Sequence, residues 1–227
     1  MDNLNNIPLF SSLDQVKGEQ LAKECIWKEY DENELVIDID EETSDVRFVV
    51  SGLVRIISRL SIGKEVILGE MGPGAFFGEI AAIDGETRSA NVTTLYKSKL
   101  CIIPRATFLR LINITPEINL EVMRVLTHRI RMLNMRLAEQ SFLQAKHRVY
   151  AELLRLSKPR LGHEGQRSIS PPPTQRELAD RIGTRREVVS RELNSLNKQG
   201  IFEKTKGALV IKNVAELQKR ISEAWEE

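Results

Sequence analysis

Apolar and polar positions alternate over short stretches in the first half of this chain, then recur every three or four residues in much of the second half. The runs Glu34 to Ile39, Val46 to Val50, Leu53 to Arg59, Glu65 to Glu70, Ser89 to Thr94 and Leu100 to Pro104 predict strands. Gly52, Gly63, Gly72, Pro73, Gly74 and Gly85 punctuate them. Many short strands with close turns predict an antiparallel sandwich or barrel. A helix near Leu13 to Cys25 precedes them, and another, Arg105 to Asn113, follows.

Pro116 stands where a first helical position would be, and helical spacing continues without a breaker to about Ser157. Met123, Leu126, Ile130, Leu133 and Leu137 repeat at alternating intervals of three and four, the seam of a coiled coil. Such a seam predicts two of these helices packed together in a homodimer. From Ser157 to Pro173, Gly162, Gly165 and three successive prolines predict a connecting loop.

The run TQRELADRIGTRREVVSRELNSLNKQ, from Thr174 to Gln199, predicts two short helices and a turn. Thr174 with Glu177 and Thr184 with Glu187 each have capping-box spacing. Gly183 supplies the turn, and Gly200 ends the second helix. Leu178, Ala179 and Ile182 on the first helix, then Val188, Val189, Leu193 and Leu196 on the second, form the buried sides. Ile201 to Thr205 and Ala208 to Ile211, around Lys206 and Gly207, predict a hairpin wing, and Asn213 caps a last short helix. In a helix-turn-helix the second helix enters the DNA major groove by its N-terminal residues. The exposed positions there are Arg185, Arg186, Glu187, Ser190 and Arg191. Arg can bond guanine bidentately, and Glu accepts from the cytosine amino group. Thr174 completes the expected DNA-contacting set.

Composition sharpens this. The 227 residues carry a net charge of only +1. Residues 146–227 hold 17 Lys and Arg against 11 Asp and Glu, however, while residues 1–145 hold 16 against 21. A basic final third fits a polyanion-binding module. Cys25 and Cys101, distant in the chain, fit buried thiols in a reducing cytoplasm rather than a disulfide framework or metal site. The N-terminus lacks a signal-peptide pattern and no apolar run is long enough to span a bilayer, so a cytoplasmic protein without a membrane partner is expected.

A second chemical pattern lies in the strand-rich part. Gly78-Glu79-Ile80-Ala81 begins a short apolar helix, and Gly85 precedes Arg88-Ser89. A helix start offers amides to phosphate, Arg88 adds a charged fork, and Glu79 is suited to a sugar hydroxyl. Two β-turns around one helical turn would give the same pattern without a ligand.

The string FFGEIAAIDGETRSA resembles the phosphate-binding cassette of cyclic-nucleotide-binding domains. With LFSSL, FVVSGLVRII, the long helix and the winged helix-turn-helix, the chain resembles the family of the cyclic AMP receptor protein and the fumarate–nitrate reduction regulator, nearly end to end. The resemblance implies an α+β fold with an N-terminal antiparallel β-roll over 1–115, a dimerisation helix over 116–157 and a winged helix-turn-helix over 158–227. It implies a ligand-responsive transcription regulator, not an enzyme. Glu79 would hold the ribose 2′-hydroxyl, Arg88 and Ser89 the cyclic phosphate, and the amides around Gly78, Ile80 and Ala81 would line the pocket. The base-contacting positions on the long helix fall on Leu133 and Asn134, of which Asn134 can bond a base edge and Leu133 cannot. The effector implied is cyclic AMP, with cyclic GMP still open. The partners implied are double-stranded DNA, a second copy of the chain and RNA polymerase. Arg186, Glu187 and Arg191 match the family's base-reading positions and imply a palindrome of TGTGA-like half-sites.

Two alternatives stand beside this: a regulator of the same family with a non-nucleotide effector or none, and a nucleotide-binding module of a larger assembly. Two cysteines are too few for an iron–sulfur cluster, and His128, His147 and His163 show no ligand spacing. No nucleophile elbow or paired carboxylate points to catalysis.

Overall fold

The computed structural model describes residue 4, residues 7–59 and residues 65–226; Gly63, expected as a turn glycine, lies outside them. The chain divides into two compact units, one up to Ile130 and one from Arg131 onward.

In the first unit, α1 (Gln15–Glu24) is capped by the Asp14 side chain, which accepts from the Lys17 amide. Eight strands follow: β1 (Ile26–Tyr30), β2 (Leu35–Ile37), β3 (Val46–Ser51), β4 (Val54–Arg59), β5 (Glu65–Met71), β6 (Phe76–Phe77), β7 (Asn91–Thr94) and β8 (Ser98–Ile103). They form two four-stranded sheets, β1-β8-β3-β6 and β2-β7-β4-β5, with every pairing antiparallel. Apolar alternation gives each sheet an inner face. Val49, Val54, Ile56, Phe77, Val92 and Leu100 fill one buried cluster. Phe48, Phe76, Cys101 and Ile103 build another with Phe108 and Leu111 of α3 (Arg105–Ile114) and with Ile118 and Val122 of α4 (Pro116–Phe142). Strands β1 and β6 escape the periodicity. β1 pairs on one side only and exposes Ile26, while β6 is two residues long. Cys25 and Cys101 are free thiols, but the fold makes them neighbours. A hydrogen bond with Cys101 holds the Cys25 thiol below its ordinary value, against the opposing effect of burial.

The helix expected to run to Ser157 stops at Phe142, and α5 (Ala145–Leu156) begins after a break. Gln144 is extended there, with neither Gly nor Pro to announce the break. Arg148 instead donates through Nη1 to the carbonyls of Gln140 and Leu143, 3.3 Å each, and so serves acceptors that a helix end leaves unbonded.

The second unit continues with β9 (Lys158–Pro159), β10 (Arg167–Ile169), α6 (Gln175–Ile182), α7 (Arg186–Lys198), β11 (Phe202–Lys204), β12 (Leu209–Ile211) and α8 (Val214–Glu226). The segment expected as a plain loop after Ser157 therefore contributes β9 and β10 to the sheet β11-β12-β10-β9. The expected wing is the β11–β12 hairpin, closed where the Thr205 amide donates to Ala208 O at 2.9 Å. Val149, Leu153, Leu178, Val189, Leu196, Ile211 and Leu217 belong to this unit's own core. No helix among the described residues is long and apolar enough to cross a membrane.

Candidate effector pocket and nucleic-acid interface

The turn from β6 into α2 (Glu79–Asp84) is built around Gly78, whose φ of 83° favours a residue without Cβ. Space forbids one as well: a Cβ would lie 2.6 Å from Arg88 Nη1 and 2.8 Å from the Asp45 carbonyl oxygen. This close approach lets Arg88 Nη1 donate to Gly78 O at 3.2 Å and to Asp45 O at 3.0 Å. Its Nε donates to Thr43 Oγ1 at 3.0 Å and its Nη2 to Asp45 Oδ1 at 3.1 Å. Burial pushes the Arg88 guanidinium below its ordinary value, and Asp45 pulls the other way.

Glu79, at the first position of α2, is buried beside it. Its Oε1 accepts from Arg129 Nη1 at 2.6 Å. Arg129 also donates to Phe76 O at 2.6 Å and stacks its guanidinium 5.1 Å above the Phe76 ring. The structure thus holds the buried Glu79 and Arg88 at the half-buried Gly78 turn, with Ala81 buried on the same helix, and adds the half-buried Thr43, Asp45 and Arg129, which the sequence reading missed. Ile80 and Ser89 are exposed at its margin. Asn134 and Leu133 are exposed on α4, in the second unit. Arg129 could have been suspected, since a cation at helical spacing between seam residues needs an anion when half-buried.

The α6–α7 pair shows why this sequence turns where it does. Thr174 Oγ1 accepts from the Glu177 amide at 3.1 Å, and Glu177 Oε2 accepts from the Thr174 amide at 2.7 Å, closing the expected capping box. Gly183 follows with φ 62°, and the preceding Ile182 carbonyl accepts from Gln140 Nε2 at 2.8 Å. The second expected box, Thr184 with Glu187, does not form. Helix α7 starts at Arg186 with Arg185 as its cap residue, one position later than that box requires. The Arg185 carbonyl takes the Val188 amide at 3.1 Å, so Glu187 sits at the second helical position and is left facing outward. Val189, Leu193 and Leu196 are buried, while Val188 is only half-buried.

The opposite face of α7 presents Arg186, Glu187, Ser190 and Arg191 along one open surface, with Asn194, Ser195 and Lys198 continuing it. Arg185 and Thr174 are also exposed. Exposed guanidiniums, of which Arg191 pairs with Glu192 at 3.5 Å, and one outward carboxylate on the leading turns of a helix match the donor and acceptor edges of base pairs. Behind this face, Glu152 of α5 is buried and accepts from Arg155 Nη1, while Arg136 Nη2 and Arg181 Nη1 each lie 3.8 Å from its Oε1. Arg155 Nη2 also reaches Glu139 Oε1 at 2.6 Å. This cluster joins α4, α5 and α6.

The family model of the cyclic nucleotide-binding domain matches residues 27–115, and that of the Crp-like helix-turn-helix domain matches residues 147–220. A cyclic AMP receptor protein from Thermus thermophilus is 32% identical over 170 residues, 75% of this chain and 76% of the relative. The chain belongs to the family of the cyclic AMP receptor protein and the fumarate–nitrate reduction regulator. Among solved structures, a CooA mutant from Carboxydothermus hydrogenoformans superposes with a TM-score of 0.81 over 96% of this chain and 95% of that one, at 20% identity. The c-di-GMP-responsive global regulator CLP of Xanthomonas campestris gives 0.74 over 87% and 99%, at 23% identity. As a member of this family, the chain is a ligand-responsive, DNA-binding transcription regulator with a cyclic-nucleotide-binding domain and a winged helix-turn-helix.

Proposed function

We propose that this regulator acts as a cytoplasmic homodimer that binds cyclic AMP and reads a palindrome of TGTGA-like half-sites, where it meets RNA polymerase. The observation carrying the nucleotide reading is the convergence of a buried carboxylate and a buried guanidinium on one glycine turn. Glu79 offers an acceptor for a ribose hydroxyl, and Arg88 lies beside the Gly78 carbonyl with donors suited to a phosphate. Ser89, Ile80 and Ala81 lie on the same cassette, and Asn134 is the position assigned to the base edge.

The dimer reading rests on the α4 seam. Met123, Ile130, Leu133 and Leu137 are 51%, 57%, 57% and 67% exposed, an apolar row of the kind a second helix covers. Leu126 is the exception, since it packs against the core of its own unit. A two-fold dimer can place two α7 helices in successive major grooves, about 34 Å apart. In this arrangement Arg186, Glu187 and Arg191 read bases, while Thr174, Arg185 and Ser190 contact the backbone or the neighbouring edges.

A second reading keeps the family and changes the effector. Leu133 favours it, because this side chain offers no hydrogen bond to a base, and CLP within the same fold is named for c-di-GMP. Calorimetry with cyclic AMP and cyclic GMP, each with and without operator duplex, separates the readings. Coupling between the sites is reciprocal, so operator should tighten the true effector. Equal affinity with and without DNA refutes nucleotide control, and no heat with either nucleotide leaves the second reading.

A further inference from the structure

Arg88 is held by an anion that the chain itself supplies. Asp45 Oδ1 accepts from Arg88 Nη2 at 3.1 Å, and Oδ2 of the same carboxylate accepts from Arg47 Nε at 2.6 Å. One carboxylate therefore spans two guanidiniums, much as two oxygens of a phosphate would. The Arg88 side chain is 2% exposed and that of Asp45 19%, so water screens this contact weakly. Thr43 and the Asp45 and Gly78 carbonyls accept three further Arg88 N–H groups. Asp45 also closes an acidic connection between β2 and β3, in which Asp38, Asp40, Glu41 and Glu42 precede it.

We propose that Asp45 is the residue that sets anion affinity in the effector pocket: its carboxylate occupies the Arg88 fork, and a cyclic phosphate must displace it to bind. This rests on the reading of Arg88 as the phosphate-holding residue. Displacement is feasible because Asp45 keeps its bond to Arg47, so no buried carboxylate is left without a cation. Arg47 is itself anchored, donating through Nη1 to the Val36 carbonyl. Ligand and carboxylate exchange one charge for another at Arg88, and the β2–β3 connection bearing Asp45 moves when they do. The pocket thus starts from a satisfied arginine and not from an empty one, which lowers affinity and makes binding conditional on that connection.

The test is calorimetry on the full-length protein with cyclic AMP and cyclic GMP, comparing wild type, Asp45→Asn, Asp45→Ala and Asp40→Asn. A charge-assisted hydrogen bond contributes enough that removing the competitor should tighten the nucleotide about tenfold. Asp40→Asn alters the same connection without touching Arg88 and should stay within about twofold. Thermal midpoints with and without nucleotide keep the test readable if Asp45→Asn or Asp45→Ala folds poorly alone, because the nucleotide should then raise their midpoints more than that of wild type. Nucleotide binding by the Asp45 variants but not by wild type also supports the proposal. Unchanged or weaker binding by both variants, with wild type binding, overturns the proposal and leaves the nucleotide reading standing. Equal tightening by Asp40→Asn overturns it too, since the general field would then suffice. No binding by any of the four removes the nucleotide reading and this proposal with it.

Discussion

Replacing Glu152 by Gln keeps the side-chain shape and removes one charge from the most buried ion cluster of the second unit. Glu152 is 1% exposed, Arg181 4% and Arg155 17%. Burial drags the Arg155 guanidinium down, yet the carboxylates of Glu152 and Glu139 outweigh it and raise it above its ordinary value. Without Glu152, Arg155 keeps its bond to Glu139, while Arg136 and Arg181 lose the carboxylate that both approach at 3.8 Å. Removing one partner from a buried pair costs about 3–5 kcal/mol. Arg136 and Arg155 are partly wetted, which places the expected loss near the lower end, about 3 kcal/mol. For a unit of this size that lowers the midpoint by roughly 12–24 °C. The chain has two tryptophans, Trp27 in the first unit and Trp225 in the second. Fluorescence-detected unfolding in a Trp27→Phe background therefore follows the second unit alone, and a Trp225→Phe background follows the first. Glu152→Gln should lower the former transition and leave the latter unchanged. A loss below about 1 kcal/mol would refute the reasoning, because it would mean that the cost of burying the carboxylate cancels its attraction.

Arg186→Ala should relax selection at one base position by about 1–3 kcal/mol in a binding-site selection experiment; uniform weakening would mark Arg186 as a phosphate contact. Leu137→Glu should dissociate the dimer without unfolding the protomer, since Leu137 is exposed. A buried Leu contributes about 1.5–3 kcal/mol and the change acts twice in a two-fold assembly, so sedimentation should read a dissociation constant raised more than about a hundredfold. Donation from Arg110, and then from Thr107, holds the Glu24 carboxyl below its ordinary value of 4.5. That stabilisation is present above the ordinary value and is lost as pH falls through the depressed one. Glu24→Gln should therefore lose less stability than wild type on acidification in urea titrations, by a small margin because Glu24 is well exposed.

Features set by neighbours in the chain were legible in the sequence. Thr174 and Glu177 are three residues apart, and their box formed. The β11–β12 wing and the cassette glycines followed from turn chemistry. Features set through space were not. The end of α4 depends on Arg148 reaching back to Gln140, and no breaker marks it. Thr184 and Glu187 have the right spacing, but the Thr184 amide that the box needs donates instead to the Ala179 carbonyl at 3.0 Å. Arg129 meets Glu79, and Asp45 meets Arg88, across 50 and 43 positions. The Glu152 cluster likewise gathers five helix-borne charges, and beyond the three-residue spacing of Glu152 and Arg155 their sequence positions give no sign of convergence.

The sensor and the reader keep separate cores, with Phe48 and Ile118 in one and Leu153 and Leu217 in the other. Mutational load is therefore partitioned. A substitution that re-tools the proposed pocket at Asp45 or Glu79 draws on the reserve of the first unit, while the α6–α7 pair retains its own. Drift in the effector site can proceed through marginally stable intermediates that still hold a folded DNA reader. A lineage with this architecture can change what it senses without first giving up what it reads.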